Sequence, residues 1–363
     1  MSGVLRYGAS VGERRAGKDG MVDAFVIPAF IGCALTFCAF AGPIGASLGV
    51  IDYPDGERKT HFAPTPLVGG LALMLPLALA AAALALTRPD GDDPALFAAL
   101  ALGGAGFAAL GFLADRRPTI TPVVRLAASA ALGALLLAIV PDLRLTALDF
   151  GAPWPVVVLG AAAVPFTLLC LVGLQNALNM ADGANGLALG LTISWIGCLV
   201  LHAPPYLIPY LGLFLLGAVL LLPFNLSGRL FLGDAGSYSI GAVVGLLMIY
   251  VYNRAAGGLP MPTVILWLLI PVVDCLRLIG ERARAGRSPF SADRNHLHHR
   301  LARLWPWPQV VGIYLLIAAA PGVLAAIWPA ATPALIGVAV SLYLAALWAT
   351  QRRRVSAAGG GDD

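Results

Sequence analysis

The fold of this chain is decided by residues 205–252, PYLIPYLGLFLLGAVLLLPFNLSGRLFLGDAGSYSIGAVVGLLMIYVY. Two apolar runs, 205–224 and 236–252, flank a short segment that contains an asparagine, an arginine, an aspartate and several glycines. A helix needs about 20 apolar residues to cross the hydrocarbon core of a bilayer, and each run approaches that length. The stretch therefore predicts two membrane-spanning helices joined by a polar loop.

The same pattern extends over the whole chain. Hydrophobic residues make up 59% of the 363 residues and charged residues 12%, and the mean hydropathy is +0.84, values typical of an integral membrane protein. We therefore expect an all-α, polytopic fold with a transmembrane domain over residues 24–350 and a disordered C-terminal tail at 351–363. We predict eleven spans, at residues 24–50, 66–87, 95–113, 120–140, 155–174, 187–202, 205–224, 236–252, 260–280, 309–328 and 332–350.

The orientation follows from the basic residues in the loops, because Lys and Arg are retained on the cytoplasmic side. The even-numbered loops hold three of them, Arg88, Arg144 and Arg254. The odd-numbered loops and the C-terminal tail hold fourteen, namely Arg58, Lys59, Arg116, Arg117, Arg229, Arg282, Arg284, Arg287, Arg294, Arg300, Arg303, Arg352, Arg353 and Arg354. We therefore expect the odd loops and the C-terminus in the cytoplasm.

The N-terminus does not fit this orientation. Its first twenty residues should lie outside, yet they carry Arg6, Arg14, Arg15 and Lys18. We therefore interpret residues 1–23 as a tail, with Met21 as a candidate translation start.

Five clusters of polar and charged residues interrupt the apolar runs, and all five lie in odd-numbered gaps. Gaps of the same parity open on the same side of a bilayer, so five loops that are distant in sequence can form one site. This arrangement predicts a membrane-embedded enzyme whose active site is built from cytoplasmic loops. A membrane transporter is the alternative class, but transporters typically show internal repeats with broken helices at matching positions.

The fifth loop carries the most specific cluster. Asn176, Asn179 and Asp182 are three residues apart and share one side of the chain while it remains helical. The Asp-Gly pair at 182 and the Asn-Gly pair at 185 then predict successive turns. A polar helix cap is the alternative interpretation. Polar groups at membrane depth are costly and usually functional, which favours a site.

The seventh loop places Asp234 between Gly233 and Gly236. Asp234 is either the N-cap of the next helix or a ligand. The glycines allow a ligand to approach the backbone, and a helix N-terminus favours phosphate. Because a carboxylate and a phosphate repel each other, a site that holds both Asp234 and a phosphate indicates a bound divalent cation.

The ninth loop contains three of the five histidines, His296, His298 and His299. A zinc site is one interpretation, but the spacing lacks the i,i+4 pattern of helical ligands and a Cys partner. Donation to phosphate oxygens or sugar binding suits these side chains better. Arg277 and Glu281 have the i,i+4 spacing of an ion pair.

The first and third loops give weaker signals. Residues 52–61, which include Lys59, are also compatible with a solvated turn. In the third loop Asp115 precedes two arginines, as in ordinary interfacial anchoring. We expect Arg125, just inside the fourth span, to reach back to Asp115.

Together the clusters resemble the polyprenyl-phosphate N-acetylhexosamine-1-phosphate transferase family across residues 24–350. The sequence His296-Leu-His298-His299 is similar to the branch that uses UDP-GlcNAc and related donors, rather than the branch that transfers phospho-MurNAc-pentapeptide in peptidoglycan synthesis. The matching motifs are residues 52–70, 111–115, 176–187, 231–237 and 288–301.

The resemblance implies dependence on Mg²⁺ or Mn²⁺ and a cytoplasmic active site in the bacterial inner membrane. It implies the transfer of HexNAc-1-phosphate from a UDP-sugar to undecaprenyl (polyprenyl) phosphate, with release of UMP, as the first step of a cell-envelope polysaccharide. The bilayer and the two substrates are then the partners, no nucleic acid is expected, and a homodimer is one assembly open to the chain. By motif, Asp234 and Asn179 bind the metal; Asp115, Asp182, His296, His298 and His299 are catalytic; and Lys59, Asn176, Asn185 and Arg300 bind substrate.

Two positions depart from the family pattern. Many relatives carry an aspartate pair where this chain has Ala114 before Asp115, and an acid where it has Asn185. Asn185 retains hydrogen-bonding capacity and can read a uracil edge. Ala114 opens a further alternative, a homologue that binds the carrier lipid without turnover. Activity is nevertheless compatible with Ala114, because a phosphate monoester with a second pKa near 6 is largely a dianion at pH 7 and needs no base.

Overall fold

The computed structural model describes residues 25–54, 63–87, 93–117, 119–183, 185–255, 258–288 and 294–358, with side chains as far as Gln351. Two short antiparallel hairpins accompany the helices: β1 (Ile51–Asp52) pairs with β2 (Thr65–Pro66), and β3 (Ala147–Leu148) pairs with β4 (Val157–Val158). The helices are α1 (Phe25–Ala39), α2 (Ala41–Leu48), α3 (Gly69–Thr87), α4 (Pro94–Arg116), α5 (Pro122–Ile139), α6 (Ala163–Ala181), α7 (Leu187–Val200), α8 (Ile208–Leu226), α9 (Gly233–Arg254), α10 (Met261–Arg284), α11 (Leu297–Leu301), α12 (Trp307–Ala318), α13 (Ala320–Ile327) and α14 (Thr332–Ala358).

The predicted all-α, polytopic architecture is confirmed. Within the described residues, nine helical segments are long and apolar enough to cross a membrane, or ten if α1 and α2 are counted as one span. The sequence predicted eleven spans, one more than ten. The additional predicted span, at 187–202, forms α7, which has only 14 residues. At 1.5 Å per residue α7 is about 21 Å long, shorter than the roughly 30 Å hydrocarbon core.

The first apolar run is not one straight helix. α1 and α2 meet at Phe40 with a bend of 79°. Pro43 lies in the first turn of α2, where its ring would clash with the carbonyl of Ala39 four residues earlier and where it supplies no N–H. The bend therefore has a local cause that the apolar pattern alone does not reveal.

Helix α9 is the centre of the bundle, and 94% of its 18-residue apolar stretch is buried inside the protein. Glycines let its N-terminal turn approach its neighbours very closely. A Cβ at Gly111 of α4 would lie 2.1 Å from the Asp234 carbonyl oxygen, and a Cβ at Gly70 of α3 would lie 2.1 Å from the Gly236 nitrogen. Only hydrogen fits at these positions, so the two glycines fix where α9 begins relative to α3 and α4.

The peripheral helices present apolar side chains outward. Only 22% of the 18-residue apolar stretch of α5 is buried inside the protein, and only 17% of the corresponding stretch in the segment Pro329–Gln351. Leu344 and Trp348 of α14 are among the exposed large side chains. Surfaces of this composition suit the hydrocarbon of a bilayer.

The odd and even loops lie at opposite ends of the bundle. Helix α4 runs from Asp93, its N-cap, to Asp115 near its C-terminal end, and α9 runs antiparallel beside it. Arg254, in the last turn of α9, therefore pairs with Asp93 at 3.0 Å, whereas Asp115 meets the first turn of α9 at the other end. The described ends of the third and seventh loops therefore lie together, opposite those of the second and eighth loops, as loop parity predicts.

Candidate active site

Asp115 caps the N-terminus of α9 from a different helix. Its two carboxylate oxygens accept the backbone N–H groups of Asp234 at 2.9 Å and Ala235 at 3.1 Å. The residue at the N-cap position of α9 itself is Leu232, which makes no side-chain cap hydrogen bond. A carboxylate is favourable at this site, because unpaired N–H groups give a helix N-terminus partial positive charge.

This contact corrects two interpretations of the seventh loop. Asp234 is not the N-cap of α9 but a residue of its first turn. The N–H groups that were expected to favour phosphate are bonded to Asp115 instead. The physical reason is the close approach of α4 at Gly111, which brings a protein carboxylate to the helix end.

The Asp234 carboxylate has a partner on each oxygen. Arg125 of α5 donates from Nη1 to Oδ2 at 2.7 Å, and Asn179 of α6 donates from Nδ2 to Oδ1 at 2.7 Å. Asn179 also donates to the Ser237 hydroxyl at 2.8 Å. The expectation that Arg125 bonds Asp115 is therefore wrong: both oxygens of Asp115 bond the α9 backbone, and the guanidinium pairs with Asp234.

Asp182 adds a third carboxylate at the C-terminal end of α6. Burial, followed by the negative charges of Asp234 and Asp115, raises its pKa well above the usual value of an aspartate. Three acids thus share one region with the Arg125 guanidinium. Mutual repulsion of this kind is relieved by an additional cation.

The donor set fits a hard divalent cation. In the described part of the chain, no group of three or more His, Cys, Asp or Glu side chains is arranged to hold a metal ion. Mg²⁺ does not require such a cage, since it usually keeps several waters and binds through one or two carboxylates plus substrate phosphates. Oxygen atoms of Asp234, Asp182 and Asn179 are the ligand type that Mg²⁺ and Mn²⁺ prefer.

The fifth and seventh loops are joined by a buried amide. Asn225, at the end of α8, accepts the Gly186 N–H at 2.6 Å and donates to the Leu230 carbonyl at 3.1 Å. The carbonyl of Asn185, in the same turn, accepts from Trp307 of α12 at 3.1 Å. These bonds fix the turn that follows Asp182.

The ninth loop lies against that turn. A Cβ on Gly183 would be 3.6 Å from the Nε2 atoms of both His298 and His299. The rings of these histidines have centroids 4.2 Å apart. His298 is buried and its Nε2 has no hydrogen-bond partner. Burial, followed by repulsion from His299 and His296, lowers the pKa of His298 well below its usual value, so this ring is neutral at pH 7.

His296 is held on its other side by an aspartate in α10. Its Nδ1 lies 2.9 Å from Oδ2 of Asp274. Arg277 of the same helix bonds both Asp274 and Glu281 at 2.8 Å, so the predicted pair between Arg277 and Glu281 is confirmed. The first loop joins the same end of the bundle, where the Phe231 N–H donates to the Pro66 carbonyl at 2.9 Å.

Comparisons with known proteins identify relatives of this chain. The model of glycosyl transferase family 4 matches residues 97–252. A decaprenyl-phosphate N-acetylglucosaminephosphotransferase of Mycobacterium tuberculosis is 30% identical over 349 residues, which cover 83% of this chain and 84% of that protein. Undecaprenyl-phosphate alpha-N-acetylglucosaminyl 1-phosphate transferases of Yersinia pestis and Escherichia coli K12 are each 30% identical, over 79% and 78% of this chain and 79% and 77% of their own lengths.

The chain belongs to the polyprenyl-phosphate HexNAc-1-phosphate transferase family. The predictions of this family and of an enzyme are thereby confirmed.

Most of the residues that the family motifs single out lie together. Asp115, Asn179, Asp182 and Asp234 form the acidic centre described above, and His298 and His299 lie beside the Gly183 turn. His296 stacks on His298 with ring centroids 5.5 Å apart. The contacts that join these residues come from α4, α6, α9 and the segment around α11.

The group just described does not include three of the predicted substrate-binding residues. Lys59 lies outside the described residues. The Asn176 amide donates to the Val172 carbonyl of its own helix at 2.7 Å, rather than to another predicted site residue. Arg300 lies on α11, and burial followed by the nearby charge of Arg277 lowers its pKa.

Sequence reasoning did not assign a site role to Arg125, Asn225 or Asp274. Each is a polar residue within or at the end of an apolar helix, and that position is the signal that could have identified it. Asn225 and Asp274 are 2% and 3% exposed, so both must satisfy their hydrogen bonds inside the protein.

Proposed function

We propose that this protein transfers GlcNAc-1-phosphate from UDP-GlcNAc to polyprenyl phosphate and releases UMP. The observation that carries the proposal is the acidic centre, in which Asp234 is held by Arg125 and Asn179 while Asp115 and Asp182 lie close by. The diphosphate of the UDP-sugar and the phosphate of the lipid repel each other, and a cation-binding centre is needed to bring them together. The names of the relatives support GlcNAc as the sugar.

The reaction is a phosphoryl-group transfer between two anions. A lipid phosphate oxygen attacks the sugar-bound phosphorus, a new P–O bond forms, and the bond to the UMP oxygen breaks. The lipid phosphate is largely a dianion at pH 7, so it needs no proton removal. What the site must supply is orientation and relief of charge repulsion.

The residues divide this work by charge. Asp234, with Asp182 and the amide oxygen of Asn179, would hold Mg²⁺ or Mn²⁺, which when bound neutralises the diphosphate and the departing UMP. Arg300 and His296 would donate to diphosphate or sugar oxygens. His298, being neutral, can donate to or accept from an uncharged sugar group. Asn185, near Gly228 of the seventh loop, would face the uracil.

The bacterial inner membrane is the expected location, with this end of the bundle in the cytoplasm. UDP-sugars are made in the cytosol and the polyprenyl carrier lies in the bilayer, so the site must be open to both. The bias of basic residues toward the odd loops supports the same orientation.

The test is turnover by the purified protein. It is incubated in detergent or nanodiscs with Mg²⁺, undecaprenyl phosphate and a panel containing UDP-GlcNAc, other UDP-HexNAc donors and UDP-MurNAc-pentapeptide, and UMP release is followed. UMP from UDP-GlcNAc, with lipid-linked GlcNAc as co-product, supports the proposal. UMP only from the pentapeptide donor would assign the chain to peptidoglycan synthesis instead.

One observation favours a second candidate, a homologue that binds the carrier lipid without turnover. Ala114 is buried, 4% exposed, at the position where many relatives carry a carboxylate. Absence of UMP from every donor, together with retained binding of undecaprenyl phosphate, would favour this candidate. In that case Ala114→Asp is the variant that should restore turnover.

A further inference from the structure

We propose that Asp274 is a positioning residue, which fixes the ring orientation and the tautomer of His296. Through His296 it also fixes the arrangement of the histidines that face the fifth loop. The inference rests on the proposed function, because it assigns His296 to contact with the diphosphate or sugar. It adds a residue that lies in the α10 helix, outside the loop that carries the histidines.

The Asp274 carboxylate has four hydrogen-bond donors. Its Oδ1 accepts from Arg277 at 2.8 Å and from the Tyr343 hydroxyl at 2.9 Å. Its Oδ2 lies 2.9 Å from Nδ1 of His296 and accepts the Leu297 N–H at 3.1 Å. A buried carboxylate is tolerated only when it is hydrogen-bonded, and here both of its oxygens are fully used.

The two bonds on Oδ2 clamp His296 at two points. One is made to the imidazole and the other to the backbone of the next residue, so the ring and the start of α11 are held together. Because a carboxylate is an acceptor, Nδ1 of His296 must carry the proton. Nε2, on the opposite side of the ring, is then directed away from Asp274. In the neutral ring it accepts from a sugar hydroxyl, and in the protonated ring it donates to a phosphate oxygen.

The orientation of His296 is passed on by stacking. Its ring lies parallel to that of His298, with an interplanar angle of 5° and a centroid distance of 5.5 Å. His298 is 1% exposed, its Nε2 has no partner, and it lies beside Gly183. A buried nitrogen without a partner next to the acidic centre is expected where a ligand group completes the hydrogen bond.

The other two donors anchor Asp274 to the scaffold. Tyr343 belongs to α14, and Arg277 also bonds the Asn295 carbonyl at 2.8 Å, immediately before His296. The carboxylate therefore ties α10, α14 and the histidine loop at one point. Where such a partner orients a metal-binding histidine through its second nitrogen, its loss costs about 10- to 100-fold in affinity or activity, and we expect an effect of the same size here.

The test compares Asp274→Asn, His296→Ala and the double variant with the wild type in nanodiscs, measuring UMP release. We expect Asp274→Asn to lower kcat by about 10- to 100-fold, and the double variant to be no slower than His296→Ala alone. Non-additivity of this kind shows that the first residue acts through the second. Glu281→Gln is the matched control, because it removes the other ion pair of Arg277 from a side chain that is 44% exposed, and it should stay within about twofold of wild type.

A second measurement reads His296 without turnover. ¹⁵N NMR of the histidine-labelled protein, assigned with His296→Gln, should find Nδ1 of His296 protonated in the wild type and that resonance shifted in both Asp274→Asn and Tyr343→Phe. Tyr343→Phe removes only one hydroxyl and serves if Asp274→Asn does not fold. A His296 spectrum unchanged in the variants, or a double variant slower than His296→Ala by the full Asp274→Asn factor, would overturn the inference. If the wild type releases no UMP, the proposed function fails while the spectrum still decides the role of Asp274.

Discussion

Asp234 is the residue on which the acidic centre depends. A carboxylate that accepts from Arg125 and Asn179 at 2.7 Å each is held in one orientation by two different helices. The same two oxygens are the only anionic ligands that α9 directs toward the fifth loop in the part of the chain that the structure describes. The proposed function therefore gives Asp234 two roles, to pair Arg125 and to offer charge to a cation.

Asp234→Asn tests the cation-binding role. The amide keeps the size of the side chain but loses the negative charge, so we expect UMP release to fall by at least about 100-fold while the melting temperature stays near that of wild type. Asp142→Asn is the control, since Asp142 pairs with Arg254 at the opposite end of the bundle, and it should retain near-normal turnover. Normal turnover in Asp234→Asn would remove the metal assignment.

Asp182 predicts a pH dependence of stability. Its folded-state pKa is raised above the unfolded value by burial and then by Asp234 and Asp115. Such a group contributes stability that is present below the unfolded pKa of about 3.9 and is lost as the pH rises through the folded pKa. At pH 7.5 the wild type without divalent cations should therefore melt below Asp182→Asn.

The measurement is a thermal melt at several pH values with and without Mg²⁺. We expect Asp182→Asn to melt higher by on the order of 2 °C at pH 7.5, and to flatten the decline above pH 4. Millimolar Mg²⁺ should narrow the difference, since it stabilises only the wild-type acid group. Parallel melting curves for the two proteins over the whole pH range would contradict the electrostatic argument.

At the scale of elements, the acids come together because α3 and α4 meet the backbone of the first turn of α9 at two glycines. Gly111 meets the Asp234 carbonyl and Gly70 meets the Gly236 nitrogen. This contact is what places Asp115 within 2.9 Å of an α9 N–H. The packing of these helices thus fixes the positions of the acids at their ends.

Gly111→Ala should separate α4 from α9. Its Cβ would lie 2.1 Å from a backbone oxygen, which cannot rotate away, so we expect a loss of about 1–3 kcal/mol of stability and a fall in turnover of at least about tenfold. Gly104→Ala on the same helix is the control, since its Cβ would meet Ala78 at 3.5 Å, an ordinary contact. Equal melting temperatures and rates in the two variants would show that the close approach is dispensable.

At the scale of the whole molecule, the bundle has two polar ends of different composition. The acids and histidines of the odd loops lie at one end, and Asp93, Asp142 and Arg254 pair at the other. A membrane protein with basic odd loops should place the first end in the cytoplasm. This orientation is open to direct measurement.

Cysteine labelling tests it. We expect Ser227→Cys, an exposed residue of the seventh loop, to react with a membrane-impermeant maleimide in inside-out vesicles at least about tenfold faster than in intact spheroplasts. Asp142→Cys, an exposed residue at the other end, should show the reverse preference. The wild type corrects for the five native cysteines. The same labelling side for both variants would contradict the two-ended arrangement.

The apolar pattern was sufficient for the membrane fold because a bilayer imposes a length requirement that can be read locally. Loop parity then placed Asp115, Asp182 and Asp234 at one end without any knowledge of packing. The pattern failed where a local cause intervened, at the bend beside Pro43 and in the short helix α7. It also offered no means of choosing a partner for Arg125.

The sequence by itself therefore determined the all-helical membrane architecture, the end of the bundle at which the acids and histidines gather, and the family. Only the tertiary structure decided that Asp115 caps α9, that Arg125 pairs with Asp234 rather than Asp115, and that Asp274 holds His296. These contacts join helices distant in sequence, and they depend on the rotation and depth of each helix. Helices that are apolar nearly all round do not encode that rotation in their hydrophobic pattern; glycine contacts and buried hydrogen bonds set it.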